Sequence, residues 1–319
     1  MTDDGDLPPD LRAENARLVA LLESHGIEWR RTATVDVQHT PSALNTDQKV
    51  ALFRRLFQGR TDLYPVRWES KAGKTGYAPA CANEWRAGIC EKPRIKCSDC
   101  GHRSLIALTD RTIFDHVAGR HTTGVYPLLT DDTCNFLAVD FDDAEWREDA
   151  KGFAKSCREL GVPVALEVSR SGEGAHAWVF FSTSVAARDA RRLGTALISF
   201  TCARTRQLKL TSYDRLFPSQ DTLPKGGFGN LIALPLQKQP REQGRSVFVD
   251  DALQAFPDQW AYLASIEPMA PRDIEPTILR ATGGSHPLDV TFVADEDSLE
   301  PWKPRSSATQ RLAGPMPES

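Results

Sequence analysis

The stretch CNFLAVDFDDAEWREDAKGFAKSCRELGVPVALEVSRSGEGAHAWVFF, residues 134–181, decides the fold. Its first part, CNFLAVDF (134–141), is a short apolar run free of Pro and Gly, the pattern of a buried strand. Ala144 to Leu160 follows with helical spacing, and Asp142 or Asp143 can cap it. VPVALEVS (162–169) is a second strand, SGEGA (171–175) a glycine-rich turn and HAWVFF (176–181) a third strand. Further on, Ala186 to Leu208 predicts a long helix and NLIALPLQ (230–237) another strand candidate. Strands alternating with helices imply a sheet domain of the α/β or α+β class.

Toward the N-terminus, Thr46-Asp47 offers an N-cap for the amphipathic run KVALFRRLFQ (49–58), which Gly59 closes, so a compact domain starts here. A further helix is expected from Asp110 to Ala118, capped by Thr109 or Asp110. LRAENARLVALLES (11–24) puts Leu11, Leu18 and Leu21/Leu22 on one helical face over two heptads. That suits a helical arm packed on its own protein or a partner, or a short coiled coil. Residues Arg30 to Ala43 read as linker. From Glu267 onward, prolines at 268, 271, 276, 287, 301, 304, 315 and 317 predict a tail with little order. The expected organisation is an arm and linker (1–45), a catalytic domain (46–266) and a Pro-rich tail (267–319).

A chain of 319 residues suits one large domain or two smaller ones. The formal charge of −4 and pI near 6.0 exclude a polybasic protein that binds nucleic acid over its whole surface, so any such site is a local patch. Between Arg60 and Arg111 ten Lys/Arg face six Asp/Glu, and the patch is placed there. No apolar run approaches the roughly 20 residues a bilayer span needs, and the acidic N-terminus is unlike a secretory signal. A cytoplasmic protein is expected.

Four of the seven cysteines, Cys81, Cys90, Cys97 and Cys100, form C-x8-C-x6-C-x2-C, ending in CSDCGHR. A closing CxxC followed by Gly brings two thiolates to one tetrahedral Zn²⁺, and the preceding pair can complete the set, with His102 as a substitute ligand. One structural zinc is expected, in a segment spanning 78–104. It would form a platform presenting Lys92, Arg94, Lys96 and Arg103 to DNA phosphates. Cys134, Cys157 and Cys202 sit in apolar contexts and read as buried small residues.

Asp140 and Asp142 stand at i, i+2, so on a strand their carboxylates share a face. They repel one another unless a cation sits between them, and Mg²⁺ or Mn²⁺ with nucleotide phosphates is the natural occupant; a solvated acidic turn is the plain alternative. In the turn Ser169 to Ala175, the N–H groups of Gly172 and Gly174 can cradle phosphate, with Ser171 and His176 donating to the same oxygens. A third carboxylate would come from Asp221, ahead of a Pro/Gly-rich turn. Asp214 is the rival, equally able to pair with Arg215.

With these residues assembled, the chain resembles the archaeo-eukaryotic primase superfamily in its AVDFD (138–142), SGEGAH (171–176) and SQD (219–221) motifs. GVYPLL, SRSGEGAHAWVFF, YDRLFPSQDTLPKGGFGNLIALPLQ and ACANEWRAGIC look like the primase domain of TOTE conflict systems, from about Leu11 to about Trp302. The resemblance implies an α+β fold, an RRM-like catalytic core with a smaller N-terminal α/β unit bearing the zinc insert. Asp140, Asp142 and Asp221 would hold two divalent ions, and His176 and Ser171 the triphosphate of the incoming nucleotide, with Arg170 and Lys238 as further contacts. It also implies a primase-polymerase that makes or extends oligonucleotides on single-stranded DNA from NTPs or dNTPs, in a conflict or defence setting. Family members usually continue into a superfamily II helicase, expected here as a separate protein or missing from this chain, and no ATPase motif is present. Two alternatives keep the residues but change the role: a zinc-containing nucleic-acid binding module serving a helicase, or a metal-dependent nuclease.

Overall fold

The computed structural model describes residues 44–205 and 211–284, together with positions 13, 14, 17, 18, 20, 21, 24 and 25. The chain divides into two units, Met1–Pro41 and Ser42–Ser319. In the first, the described positions are helical as far as Ser24, Glu14 pairs with Arg17 at 2.8 Å, and Leu18 and Leu21 are exposed. The remaining positions of the expected arm, and the linker Arg30 to Ala43, lie outside the described residues.

The second unit opens with α1 (Thr46–Leu56), the hairpin strands β1 (Pro65–Glu69) and β2 (Thr75–Pro79), α2 (Asp110–Val117) and the short β3 (Gly124–Val125). Next come β4 (Thr133–Asp142), α3 (Trp146–Glu159), β5 (Ala165–Val168), β6 (Gly174–Ala186), α4 (Ala187–Thr205) and β7 (Tyr213–Phe217). The short β8 (Ile232–Ala233), α5 (Lys238–Glu242), β9 (Val247–Val249), α6 (Gln259–Ser265), a 3-10 turn (Pro271–Asp273) and α7 (Ile274–Ala281) complete it. Asn45 caps α1, one residue before the expected cap, in a reciprocal capping box with Gln48. Thr109 caps α2 as expected.

β4, β5, β6, β7 and β9 form one sheet in the order β7-β4-β6-β5-β9, with every neighbouring pair antiparallel. The succession β4-α3-β5-β6-α4-β7 is a β-α-β-β-α-β unit. Alternation along β4 serves both faces. Leu137, Val139 and Phe141 pack with Ala150, Phe153 and Cys157 of α3 and with Leu193 and Leu197 of α4. Phe136 and Ala138 pack on the opposite face with Trp178, Phe180 and Phe248 and with Phe53 and Phe57 from the α1 region. A strand covered on both sides must be apolar almost throughout, which is why CNFLAVDF reads as a continuous run.

Two expectations change. NLIALPLQ yields only the two-residue β8, paired with β3 outside the main sheet, whereas YDRLF supplies the edge strand β7. The tail does not begin at Glu267: Pro271–Asp273 and α7 are ordered, and Ile274 and Ile278 are buried in the helical-face core. Pro271 opens the 3-10 turn and Pro276 lies in the first turn of α7, where a missing N–H leaves no helical bond unmade. Residues 285–319 lie outside the described ones. Among the described residues no helix is long and apolar enough to cross a membrane.

Candidate active site

The sheet register sets out a row of side chains across adjacent strands. Arg215 of β7 lies opposite Asp140 of β4, Asp140 opposite His176 of β6, and His176 opposite Glu167 of β5. The row crosses the face that carries Phe136, Ala138 and Trp178, so the apolar floor gives way to polar groups at one end of the strands. Asp140 Oδ1 stands 3.5 Å from His176 Nε2, and His176 Nδ1 is 2.9 Å from Glu167 Oε2. His176 is 8% exposed and Glu167 1%, so these are buried charges held by one another.

Burial pushes the Asp140 carboxyl above its ordinary range; the neighbouring carboxylates of Asp214 and Asp142 push it further, while His176 and Arg215 pull it back. For His176 burial works against the charged form, yet the Glu167 charge and hydrogen bond, with Asp140 and Asp142, outweigh it and carry the imidazole up to about 9. The imidazolium therefore sits between two acids. An acid crowded by two others is a place where a cation is welcome.

Asp142 follows on the same side of β4, exposed, with its N–H donating to Ser212 O at 2.7 Å. Ser212 is fixed in turn by the buried Asp149 of α3, whose Oδ2 accepts from the Ser212 N–H at 3.0 Å and from its hydroxyl at 2.7 Å. This anchor starts β7 alongside the end of β4. Asp140 then pairs with Arg215 and Phe141 with Tyr213, which leaves Asp214 as the extra residue of a bulge beside Asp140. Bulges of this kind re-aim side chains next to active sites. Both candidates for the third carboxylate are ion-paired: Asp214 lies near enough to push the Asp140 carboxyl up and pairs with Arg215 at 2.7 Å, whereas Asp221 pairs with Arg191 of α4, the helix packed on the other face of the sheet.

The turn before β6 also differs from the expected cradle. The Gly172 N–H donates to Ser169 O at 3.0 Å within the turn, and Ser171 Oγ accepts from the Glu173 N–H at 3.1 Å. Gly172 has φ of +83°, and a Cβ there would meet Arg245 Cδ at 2.6 Å. A Cβ on Gly174 would fall 2.5 Å from Phe141 O, so this glycine lets β6 close on β4. Cationic groups instead gather around the turn. Arg245 Nη1 donates to Ser171 O at 3.0 Å, and Arg170 Nε is buried without a hydrogen-bond partner. Burial, with the charges of Arg67 and Arg245, lowers the Arg170 pKa. Lys238 begins α5 and faces Glu242 at 3.9 Å. Glu167, Arg67 and Arg245 carry no motif in the sequence: Glu167 meets His176 only through the sheet register, and Arg67 and Arg245 come near Arg170 only through the folding of the hairpin and of the loop before β9.

The family model for the TOTE conflict system, Archaeo-Eukaryotic Primase domain, matches residues 48–277. The chain belongs to that family. Membership makes it a primase-type nucleotidyltransferase domain, and the matched span includes the row, Asp142, Asp214, the cysteines and the first part of α7. Among solved structures, the Polymerase Domain from Mycobacterium tuberculosis Ligase D in complex with DNA is similar at 10% identity and a TM-score of 0.37, over 76% of this chain and 90% of that one. No curated protein matches.

This archaeo-eukaryotic primase domain also carries the cysteine insert. Its base is strand-like, with the Ala82 N–H donating to Ser104 O at 2.8 Å and the Ile106 N–H to Ala80 O at 3.0 Å. Above that base the chain is all turns, and Cys81, Cys90, Cys97 and Cys100 line one hollow with Lys92 and His102. Cys81 Sγ accepts from the Ser104 N–H at 3.3 Å. Burial raises the Cys97 thiol, against the pull of Lys92. Among the described residues no three His, Cys, Asp or Glu side chains are gathered into a metal-ligand cluster, here or at Asp140. The donor chemistry fits all the same: four thiols around one hollow suit Zn²⁺, and three carboxylates on adjacent strands suit a hard divalent cation.

The expected phosphate-binding platform is partly used internally. Lys92 pairs with Glu84 at 2.8 Å and Arg94 with Glu91. Arg103 donates to Ser98 O at 3.0 Å and to Gly226 O at 3.1 Å, and its guanidinium lies over Phe228. It clasps the insert to the loop after β7 while remaining exposed. Lys96 is exposed. Trp85 is the notable surface group: 69% exposed, with φ of +58° and the Lys92 amine 5.8 Å from its ring centroid. A bulky residue in that backbone region is an outlier of the kind that marks functional surfaces.

Proposed function

We propose that this chain is a primase-polymerase that makes or extends short oligonucleotides on a single-stranded DNA template. Asp140, Asp142 and Asp214 are its divalent-ion ligands, with Asp214 in the role first expected of Asp221. The β-α-β-β-α-β sheet is the RRM-like core, and α1, the β1-β2 hairpin and α2 belong to the smaller N-terminal α/β unit. A conflict or defence role, and a helicase partner, follow from the family's usual setting.

The observation that carries the reading is the row Arg215, Asp140, His176, Glu167, with Asp142 and Asp214 at its side. Mg²⁺ or Mn²⁺ held by these carboxylates would activate the 3′-hydroxyl and offset charge on the transferring phosphoryl group. His176, charged and fixed by Glu167, donates from Nε2 to the triphosphate. Ser171 and the guanidinium groups of Arg170, Arg245 and Arg67 supply the positive field for the β- and γ-phosphates, and Lys238 extends it. The unpartnered Arg170 Nε supports that assignment, since a buried guanidinium nitrogen gains most from an anionic acceptor.

The cysteine insert is a structural zinc unit that grips template, with Trp85, beside the Lys92 amine, as a base-stacking surface. The test is synthesis on single-stranded DNA with Mn²⁺ or Mg²⁺ and labelled NTPs or dNTPs. The wild type gives product, and Asp140→Ala/Asp142→Ala does not. Equal product from both rejects the metal-site assignment, and binding without product from the wild type favours the binding module.

A further inference from the structure

We propose that Glu167 is a positioning residue, which holds the His176 imidazole so that Nε2 faces the Asp140 side where the triphosphate binds. The inference rests on the reading of His176 given above. Glu167 lies mid-strand in β5, in the apolar run ALEV, where a side chain facing the core would ordinarily be Val or Leu. It is 1% exposed, and taking a carboxylate out of water costs several kcal/mol unless its oxygens are filled. Replacement of buried ions by apolar groups is often neutral or stabilising, so packing alone gives no reason for a glutamate here.

Its hydrogen bonds give one. Oε2 lies 2.9 Å from His176 Nδ1 and accepts from Trp178 Nε1 at 2.9 Å, while Oε1 is 3.5 Å from Ser246 Oγ. The indole, itself fully buried, fills a second lone pair of the same oxygen, while the carboxylate's bond to Nδ1 fixes the ring. A ring flip would break the Nδ1 bond, so the other nitrogen is held 3.5 Å from Asp140 Oδ1. Ser246 follows Arg245, whose guanidinium binds Ser171 O, and the Ser246 N–H donates to Ser169 O at 3.3 Å. Glu167 thus joins the imidazole to the segment that carries the turn and its arginine. A third group that orients the working imidazole is a recurring design at reactive histidines.

The experiment compares the full chain with Glu167→Gln and Trp178→Phe by two readouts. The first is the His176 ring proton in histidine-labelled NMR spectra, assigned by its loss in His176→Gln. The second is the Kd for a labelled nucleoside triphosphate with Mg²⁺, which requires no turnover. The wild type shows a hydrogen-bonded Nδ1–H. Glu167→Gln perturbs that signal and weakens nucleotide binding about tenfold or more, the loss of one charge-assisted bond. Trp178→Phe lowers the melting temperature but keeps the ring proton and stays within about threefold of wild-type Kd.

A wild-type Nδ1 with no hydrogen-bonded proton overturns the proposal, even if Glu167→Gln does not fold. So does unchanged binding by Glu167→Gln, or equal weakening by Trp178→Phe, which would make the carboxylate a plain core contact. A wild type that binds nucleotide through this network yet makes no product removes the polymerase reading and leaves the positioning role standing.

Discussion

The row of Arg215, Asp140, His176 and Glu167 and the cysteine insert are two charged regions of this domain, and they are built in opposite ways. The row lies on four hydrogen-bonded strands, each of its residues directly opposite the next, over an apolar floor of Phe136, Trp178 and Phe180. Its side chains are positioned before any ligand arrives. The insert has one short strand-like base and then turns, and all four of its cysteines belong to neither apolar core. A segment with so little apolar burial depends on a cross-link for its shape, and four thiols around a hollow are suited to supply one through Zn²⁺. Precision in the row comes from the sheet; in the insert it would come from the metal.

Breaking each region should therefore give different losses. The largest is expected from Asp140→Ala/Asp142→Ala, which should cut synthesis by about three orders of magnitude or more while the melting temperature holds or rises. Next, Cys97→Ser/Cys100→Ser, or zinc removal by a strong chelator, should open residues 81–105 to protease with the sheet intact. Metal analysis should find about one zinc per wild-type chain. Co-operative unfolding of the whole domain on zinc loss would erase the distinction between the two regions.

A pH titration sharpens the contrast further. The His176 pKa is raised to about 9, above the ~6.5 of an unfolded chain, so its stabilisation is full below about pH 6.5 and is lost as pH rises through about 9. Melting temperatures without added divalent ions should fall over that window, and His176→Gln should flatten the fall; identical slopes in the two proteins would contradict the buried ion pair. The smallest effect is expected at the insert surface. Trp85→Ala should weaken single-stranded DNA binding by about 1–3 kcal/mol and leave the rate at saturating template unchanged.

The same contrast explains what could be read from sequence. β4, β5, β6, α3 and α4 were legible because both sides of the sheet are covered and their apolar residues repeat at strand or helix period. The acid pair and the histidine were legible because they stand at the ends of those strands. β7 was not: YDRLF has two charges in five residues, pairs on one side only and carries a bulge, so sequence spacing left Asp214 as the rival of Asp221, equally able to pair with Arg215. Prolines 271 and 276 read as breakers because their position in a first turn is not visible without the helix that follows. Glu167 did leave a signal, a single acid inside an apolar strand, whose meaning depended on His176 lying opposite it.

The most direct measurement is template-dependent nucleotide incorporation by Asp214→Asn beside Asp221→Asn, each checked for a native melting profile. If Asp140, Asp142 and Asp214 hold the divalent ions as proposed, Asp214→Asn should lose synthesis as Asp140→Ala does, and Asp221→Asn, relieved only of its Arg191 pair, should keep most of it. An active Asp214→Asn alongside an inactive Asp221→Asn would contradict the site as described.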